Sequence, residues 1–317
     1  MKKFFFLAAL CCAMMANAAQ FDGLKTITSG GVERQYYLYV PNTLKANSPM
    51  LISCHGPNQD YQYQKDQTRW PSVADTAQFV VVYPVGTAVT IWGSSFASGW
   101  NISDMTDVNF MLDIVREVHA DYAIDTTRVY MSGFSEGATF VYYVARKAAD
   151  KFAAFAPVSG YDLMDNTTTT SRPVPIIHIH GKDDNVMNYS GVKSYIEKWA
   201  LAQGCLPTPI ETTEDNCEVT RYTGGRCAVD VVLYSVNGRG HVPDDNNCPT
   251  QMLIWLFCKE FSTGCGRLDP EGIDNVDSGK SKGASEHSGT SRKTLRDGVL
   301  LIERGGRTYN AQGAEVR

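Results

Sequence analysis

Short apolar runs rich in β-branched residues recur along the chain, at 50–54, 79–84, 128–131, 175–180 and 229–236. Each run is four to eight residues long and largely apolar, without the alternation of a strand that has one wet face. Such runs are typical of strands in a sheet that is covered on both faces. The pattern therefore predicts five buried strands.

Between these runs, apolar residues return every three or four positions, which is the period of an amphipathic helix. Helices are predicted to begin at Asp107 and at Glu136, to cover 192–199, and to run over about 250–261. Strands that alternate with helices indicate an α/β fold with a mainly parallel central sheet and helices on both faces.

The two ends of the chain differ in character from this core. Residues 1–19 have two lysines, an apolar run and an Ala-Asn-Ala site, which predicts a signal peptide and a secreted or periplasmic protein without a membrane anchor. Residues 266–293 are rich in Gly, Ser, Asp and Lys, which predicts a flexible linker. Residues 294–317 hold two candidate strands around a Gly-Gly turn and predict a small β-hairpin, so the main domain would occupy 20–265.

Charge and cysteine content narrow the possible partners. The formal net charge is −5 without a Lys/Arg cluster, which argues against a nucleic-acid partner, and we expect a monomer.

Six cysteines crowd into 205–265 with no C-x-x-C pair and no metal-ligand spacing, so disulfides are expected rather than a metal, and no cofactor is implied. Their pairing stays open among Cys205, Cys217, Cys227, Cys248, Cys258 and Cys265.

A candidate nucleophile lies where a predicted strand meets a predicted helix. The stretch "RVYMSGFSEGATF" places Ser135 between Gly133 and Gly137, and a helix is expected from Glu136. A G-x-S-x-G motif in strand–turn–helix context is typical of a nucleophile elbow, a sharp turn that exposes the serine hydroxyl. The alternative is an ordinary serine that caps the helix.

A serine nucleophile needs a base and an acid that orients the base. In α/β-hydrolases the acid and then the histidine follow the serine along the chain. Asp183 and Asp184 come directly after the run 175–180, and His241 lies in a glycine-rich stretch after the run 229–236. Both aspartates remain candidates for the acid, and His241 is the candidate base, since His180 is expected to bond backbone at the strand end.

The oxyanion formed during acyl transfer needs backbone donors. The N–H of Glu136, at the start of a helix, would supply one of them. The second donor is expected from the stretch "CHGPN" after the first buried strand. Because Pro57 has no N–H, either Gly56 or Asn58 supplies the donor, or the oxyanion hole is built differently.

Several blocks, in order along residues 25–262, resemble the secreted polyhydroxybutyrate-depolymerase-like esterases, including feruloyl and acetylxylan esterases of carbohydrate esterase family 1. They are "GGVERQYYLYVP", "LISCHG", "GWN", "DVNFMLDIV", "YAIDTTRVYMSGFSEGATFVYYVA", "FAAFAPVSG", "IIHIHGKDDNVMNY" and "VNGRGHVP". The resemblance implies an α/β-hydrolase fold and a triad of Ser135, Asp184 and His241.

The resemblance also implies a substrate class. We expect a serine esterase that releases hydroxycinnamic acids such as ferulate from plant xylan, acting on cell-wall polysaccharide esters or small aromatic esters. Acetylxylan esterase and polyhydroxyalkanoate depolymerase are the alternatives within the enzymes, and a carbohydrate-binding module is the alternative outside them. Trp92, Trp100 and Tyr63 are candidates for stacking on sugar rings.

Overall fold

The structure is a computed structural model that describes residues 19–91, 93–163, 165, 167–245 and 247–268, together with the backbone of four short strands between residues 292 and 316. The chain divides into two compact units, one ending at Asp274 and the other beginning at Asn275. The predicted signal peptide and almost all of the predicted linker lie outside the described residues.

Twelve strands are found among the described residues of the first unit. In chain order they are β1 (Phe21–Ser29), β2 (Val32–Val40), β3 (Met50–Cys54), β4 (Val80–Pro84), β5 (Thr87–Ile91), β6 (Ser94–Gly99), β7 (Val129–Phe134), β8 (Ala154–Val158), β9 (Ile176–Gly181), β10 (Ile210–Glu214), β11 (Cys217–Tyr222) and β12 (Val231–Val236). Ten of them form one sheet in the order β1-β2-β4-β3-β7-β8-β9-β12-β11-β10, and β5 pairs with β6 in a separate hairpin.

The centre of the large sheet is parallel and its edges are antiparallel. Strands β4, β3, β7, β8, β9 and β12 pair in parallel. Antiparallel strands β1 and β2 extend one edge, and β11 and β10 extend the other. The predicted apolar runs correspond to β3, β4, β7, β9 and β12, so the prediction of a mainly parallel sheet is confirmed.

Helices cover both faces of this sheet. They are α1 (Tyr61–Thr68), α2 (Trp70–Ala77), α3 (Thr106–Tyr122), α4 (Glu136–Lys147), α5 (Val192–Ala202) and α6 (Thr250–Cys258). One buried cluster joins α3, α4 and α5 to one face, and a second joins α2 and α6 to the other. This three-layer arrangement is the predicted α/β-hydrolase architecture, and it places the loops after β3, β7, β9 and β12 at one edge of the sheet.

The second unit is an antiparallel sheet of its own. Its strands are β13 (Arg292–Arg296), β14 (Val299–Arg304), β15 (Arg307–Asn310) and β16 (Glu315–Val316), paired in that order. The predicted hairpin corresponds to β14 and β15. A further strand pairs on each side of this hairpin.

Within the part of the chain that the structure describes, one disulfide is present, between Cys227 and Cys265. It ties the turn before β12 to the segment that follows α6. Of the six crowded cysteines the other four are buried thiols, and so is Cys54. Among the described residues, no helix combines the length and apolar character needed to cross a membrane.

Candidate active site

Ser135 occupies the turn between β7 and α4, in a backbone conformation that residues other than glycine rarely adopt. Its φ is 57° and its ψ is −119°. The Ser135 N–H donates to the Val158 carbonyl oxygen on β8 at 3.0 Å, which holds the turn against the neighbouring strand. Ser135 is 7% exposed, so the residue is almost completely buried in this turn.

The glycines around Ser135 are required for close packing of backbone on backbone. A Cβ at Gly137 would overlap the His55 carbonyl oxygen and lie 2.7 Å from that of Cys54. A Cβ at Gly133 would meet the Gly137 carbonyl of the helix. The elbow therefore fits only when these two positions lack side chains, as the G-x-S-x-G motif predicts.

Three residues from three different loops meet in a hydrogen-bonded series. His241 Nε2 lies 2.9 Å from Ser135 Oγ, and His241 Nδ1 lies 2.8 Å from Asp184 Oδ2. Ser135 follows β7, Asp184 follows β9 and His241 follows β12. Since the acceptor at Nδ1 is a carboxylate, Nδ1 carries the proton in the neutral ring and Nε2 is free to accept from the serine.

The carboxylate of Asp184 is held by the turn that carries it. The N–H groups of Val186 and Met187 donate to Asp184 Oδ1, each at 2.9 Å. Burial disfavours the charged carboxylate, but hydrogen bonds from His180, His241 and the Met187 N–H outweigh it and hold the pKa of Asp184 below its ordinary value. Asp183 is exposed and does not share these contacts, so the structure brings Asp184 and not Asp183 to His241.

The oxyanion side of the site differs in part from the sequence prediction. Glu136 is the first residue of α4, where an N–H has no acceptor within the helix. The Asn58 N–H, by contrast, donates to the Ser98 carbonyl oxygen at 2.7 Å, and the Gly56 N–H donates to Gln59 Oε1 at 2.9 Å. Both N–H groups are engaged, which corrects the expectation that one of them is free to bind an oxyanion.

Trp100 lies beneath the site rather than in it. The side chain has no exposed surface, its Nε1–H donates to the His55 carbonyl oxygen at 2.8 Å, and its ring stacks on Phe140. A ring buried in this way cannot stack on a sugar, so the prediction that Trp100 contacts substrate is wrong. Of the other two stacking candidates, Trp92 lies outside the described residues, and Tyr63 lies on α1 and is half-buried.

Comparison with known proteins identifies the family of this chain. Residues 34–198, more than half of the chain, match the model of the family described as esterase PHB depolymerase. The chain belongs to this family. Its resemblance to polyhydroxybutyrate-depolymerase-like esterases, inferred from the sequence blocks, is thereby confirmed.

Two relatives of this chain are named as esterases. The chain is 36% identical over 239 residues to a bifunctional acetylxylan esterase/xylanase of Neocallimastix patriciarum, covering 73% of this chain and 34% of that protein. It is 28% identical over 243 residues to feruloyl esterase B of Piromyces equi, covering 68% of this chain and 42% of that protein. The chain thus spans less than half the length of either relative.

A solved structure supports the fold of the family member. The acetyl xylan esterase from Aspergillus awamori superposes with a TM-score of 0.56 at 17% sequence identity, covering 71% of this chain and 96% of the other. At that identity the likeness concerns the fold alone.

The structure also reveals supporting residues that sequence reasoning missed. Arg239, two residues before His241, has no exposed surface, and its Nε donates to Asp245 Oδ1 while its Nη1 donates to Thr250 Oγ1, both at 2.9 Å. It thereby anchors the loop of the base. The only signal in the sequence is an arginine between two glycines next to the candidate histidine, which does not by itself predict burial.

The side chain of Glu136 is a second residue of this kind. It is buried, and its Oε1 accepts from the Trp100 N–H at 3.0 Å. Burial, opposed by that hydrogen bond and reinforced by the negative charge of Asp107, raises the pKa of Glu136 well above its ordinary value. The raised pKa favours the uncharged form of the Glu136 side chain.

Proposed function

We propose that this protein is a serine carboxylester hydrolase that uses Ser135, His241 and Asp184. The observation that carries the proposal is the hydrogen-bonded series from Asp184 through His241 to Ser135, with the serine on a strained elbow at the start of α4. A serine that only capped the helix would donate or accept within the helix, but Ser135 makes no side-chain cap hydrogen bond.

The first half of the reaction forms an acyl-enzyme. Ser135 Oγ attacks the ester carbonyl carbon while His241 Nε2 takes the hydroxyl proton, and Asp184 stabilises the imidazolium that results. The Glu136 N–H, together with the positive end of the α4 dipole, stabilises the oxyanion of the tetrahedral intermediate. The intermediate then collapses, and the proton on His241 passes to the leaving alcohol.

The second half releases the acid. Water enters where the alcohol has left, and His241 Nε2 takes a proton from it as it attacks the acyl carbon. The second tetrahedral intermediate expels Ser135 Oγ, which recovers its proton from His241. Every proton transfer in this scheme uses one ring nitrogen, and the other stays bonded to Asp184.

The proposed substrate is a plant xylan ester, and the proposed acyl group is ferulate or a related hydroxycinnamate. Family membership and the relative named feruloyl esterase B support this choice. Acetyl esters of xylan are the second candidate, because the relative at 36% identity is named an acetylxylan esterase/xylanase. A polysaccharide substrate outside the cell agrees with the signal peptide expected at the N-terminus.

Replacement of Ser135 tests the proposal. Ser135→Ala is expected to lower kcat on methyl ferulate by a factor on the order of 10⁵–10⁶ with an unchanged circular dichroism spectrum. A fluorophosphonate probe is expected to label the wild type and not the variant. Activity retained in Ser135→Ala would contradict the serine mechanism, whereas faster release of acetate from acetylated xylan than of ferulate from methyl ferulate would shift the substrate to acetyl esters.

A further inference from the structure

Three buried side chains form a hydrogen-bonded chain that the proposed reaction does not use. Tyr142 Oη lies 2.8 Å from His178 Nδ1, and His178 Nε2 lies 3.0 Å from His180 Nδ1. His180 Nε2 lies 2.7 Å from the Met187 carbonyl oxygen. None of the three side chains has exposed surface. Buried imidazoles that are fully hydrogen-bonded in this way have one arrangement of protons and little freedom to move.

The Met187 carbonyl oxygen, the last acceptor, sets the donor and acceptor roles along the whole hydrogen-bonded series from Tyr142 to His180. A carbonyl oxygen can only accept, so His180 Nε2 carries a proton, and in the neutral ring Nδ1 must accept. His178 Nε2 therefore donates to His180, and His178 Nδ1 accepts from the hydroxyl of Tyr142. Burial, reinforced by the neighbouring His180, lowers the pKa of His178 well below its ordinary value, so this ring is neutral as the scheme requires.

The His180 end of this hydrogen-bonded series reaches the turn that carries Asp184. The Met187 carbonyl that accepts from His180 belongs to the residue whose N–H donates to Asp184 Oδ1. His180 Nε2 also lies 3.4 Å from Asp184 Oδ2, the oxygen bonded to His241. His180 thus contacts both the turn and the carboxylate.

The other end of the chain reaches the helix of the nucleophile. Tyr142 lies on α4, the helix that begins directly after Ser135. The hydrogen-bonded series therefore connects α4, which follows Ser135, to the turn that carries Asp184, through the interior of the protein.

We propose that His180 is a positioning residue for the esterase reaction: its Nε2–H holds the Asp184 turn, while His178 and Tyr142 supply the donors that complete the hydrogen bonds of the two buried rings. The proposal rests on the proposed function. Without the bond to the Met187 carbonyl, the turn and its carboxylate can shift, and His241 is then presented to Ser135 less accurately. The expected consequence is a lower kcat with little change in KM, because the substrate itself is not contacted.

Two substitutions at His180 separate the donor from the bulk of the ring. His180→Gln places an amide nitrogen near the position of Nε2 and keeps a donor for the Met187 carbonyl, whereas His180→Met fills similar space without one. We expect His180→Met to lower kcat on methyl ferulate by roughly 10–100-fold, as other losses of outer supporting hydrogen bonds do. His180→Gln is expected to stay within a few-fold of wild type. Equal losses in the two variants would overturn the proposal.

A second measurement does not depend on esterase activity. The proton on His241 Nδ1, bonded to Asp184, is expected to give a downfield ¹H NMR resonance. We expect its position to change in His180→Met and to be kept in His180→Gln. If the resonance responds in this way while the protein hydrolyses no ester, the proposed function fails and the positioning role stands. If ester hydrolysis is present and the resonance is the same in all three proteins, the positioning role fails.

Tyr142→Phe tests the far end of the chain, and it decides the question alone if His180→Met does not fold. Loss of the hydroxyl leaves His178 free to change tautomer, so we expect kcat to fall by a few-fold with unchanged KM. In the His180→Met background the same change is expected to have no further effect, because the chain is already broken. Wild-type kcat in Tyr142→Phe, or independent losses that multiply in the double variant, would overturn the proposal.

Discussion

The elbow around Ser135 is held by backbone packed on backbone, whereas loop 237–249, which carries His241, combines one such contact, of Gly181 with the Arg239 carbonyl, with a network of polar side chains. At the elbow, Gly137 lies against the carbonyl groups of His55 and Cys54 with no room for a side chain. In the histidine loop, by contrast, the space around Gly240 is open, since a Cβ there would meet nothing within 4 Å.

The histidine loop takes its shape from one buried arginine. The guanidinium of Arg239 bonds Asp245, Thr250 and the carbonyl oxygen of Cys248, which joins the loop to the start of α6. The comparison shows two ways of fixing a catalytic group. At the elbow, glycines at 133 and 137 are enough, because two stretches of backbone must come into contact. In the longer histidine loop, the charged network of Arg239 holds the backbone in place while His241 stays accessible to the substrate.

Among the variants that test this comparison, the largest effect is expected from removing the carboxylate that is hydrogen-bonded to His241. Asp184→Asn removes the charge that orients and stabilises the imidazolium while the elbow stays intact, so kcat should fall by about 10⁴-fold. Asp183→Asn is the matched control, because Asp183 is exposed and makes no contact with His241. Steady-state kinetics on a soluble ester compare the two. Similar losses in both variants would mean that the neighbouring aspartate can take over the role of acid.

A smaller effect is expected from removal of the arginine that anchors the histidine loop. Arg239→Met leaves the carboxylate of Asp245 without its buried partner, and breaking such a pair costs about 3–5 kcal/mol. At about 2–4 °C per kcal/mol this corresponds to a drop in Tm of roughly 6–20 °C. Differential scanning calorimetry measures the change, and kcat should fall as well because His241 is only two residues away.

Arg69→Met is the control for this variant. Arg239 Nη2 lies 3.8 Å from Asp244 Oδ1 and Arg69 Nη2 lies 3.6 Å from Asp244 Oδ2, but the side chain of Arg69 is 66% exposed. An exposed ion pair contributes about 0–1 kcal/mol, so the Tm should hardly move. Equal destabilisation by the two substitutions would show that the charge near Asp244, rather than the buried network of Arg239, stabilises the loop.

Much of the fold could be predicted because its central strands are buried on both faces and therefore read as continuous apolar runs. The edge strands gave no such signal. In β1, intermediate and exposed positions alternate, and β10 is exposed throughout, so neither differs in hydrophobicity from a loop. Strand β8 is buried but short and rich in alanine, which is equally typical of a helix.

The candidate site could be predicted as far as local motifs describe it. Ser135 and His241 lie in glycine-rich stretches whose spacing reflects a local geometric requirement. The partners of Gly56, Trp100 and Arg239 were not predicted, because each bond joins groups whose approach depends on the folded loops. The sequence does not show whether a tryptophan ring contacts a sugar or packs on another ring, as Trp100 packs on Phe140.

The smallest of the three expected effects tests the packing of backbone on backbone at the elbow. Gly137→Ala would place a methyl group 2.7 Å from the Cys54 carbonyl oxygen and closer still to that of His55, and neither backbone group can move without displacing β3 or α4. Overpacking of this kind costs about 3 kcal/mol, so the Tm should fall by roughly 6–12 °C. Gly240→Ala is the matched control in the histidine loop, where the added methyl group meets open space, and its Tm should stay close to that of the wild type. Thermal unfolding of the two variants under identical conditions measures the difference. A Gly137→Ala protein as stable as Gly240→Ala would show that the elbow can widen, and that its glycines are not required for backbone packing.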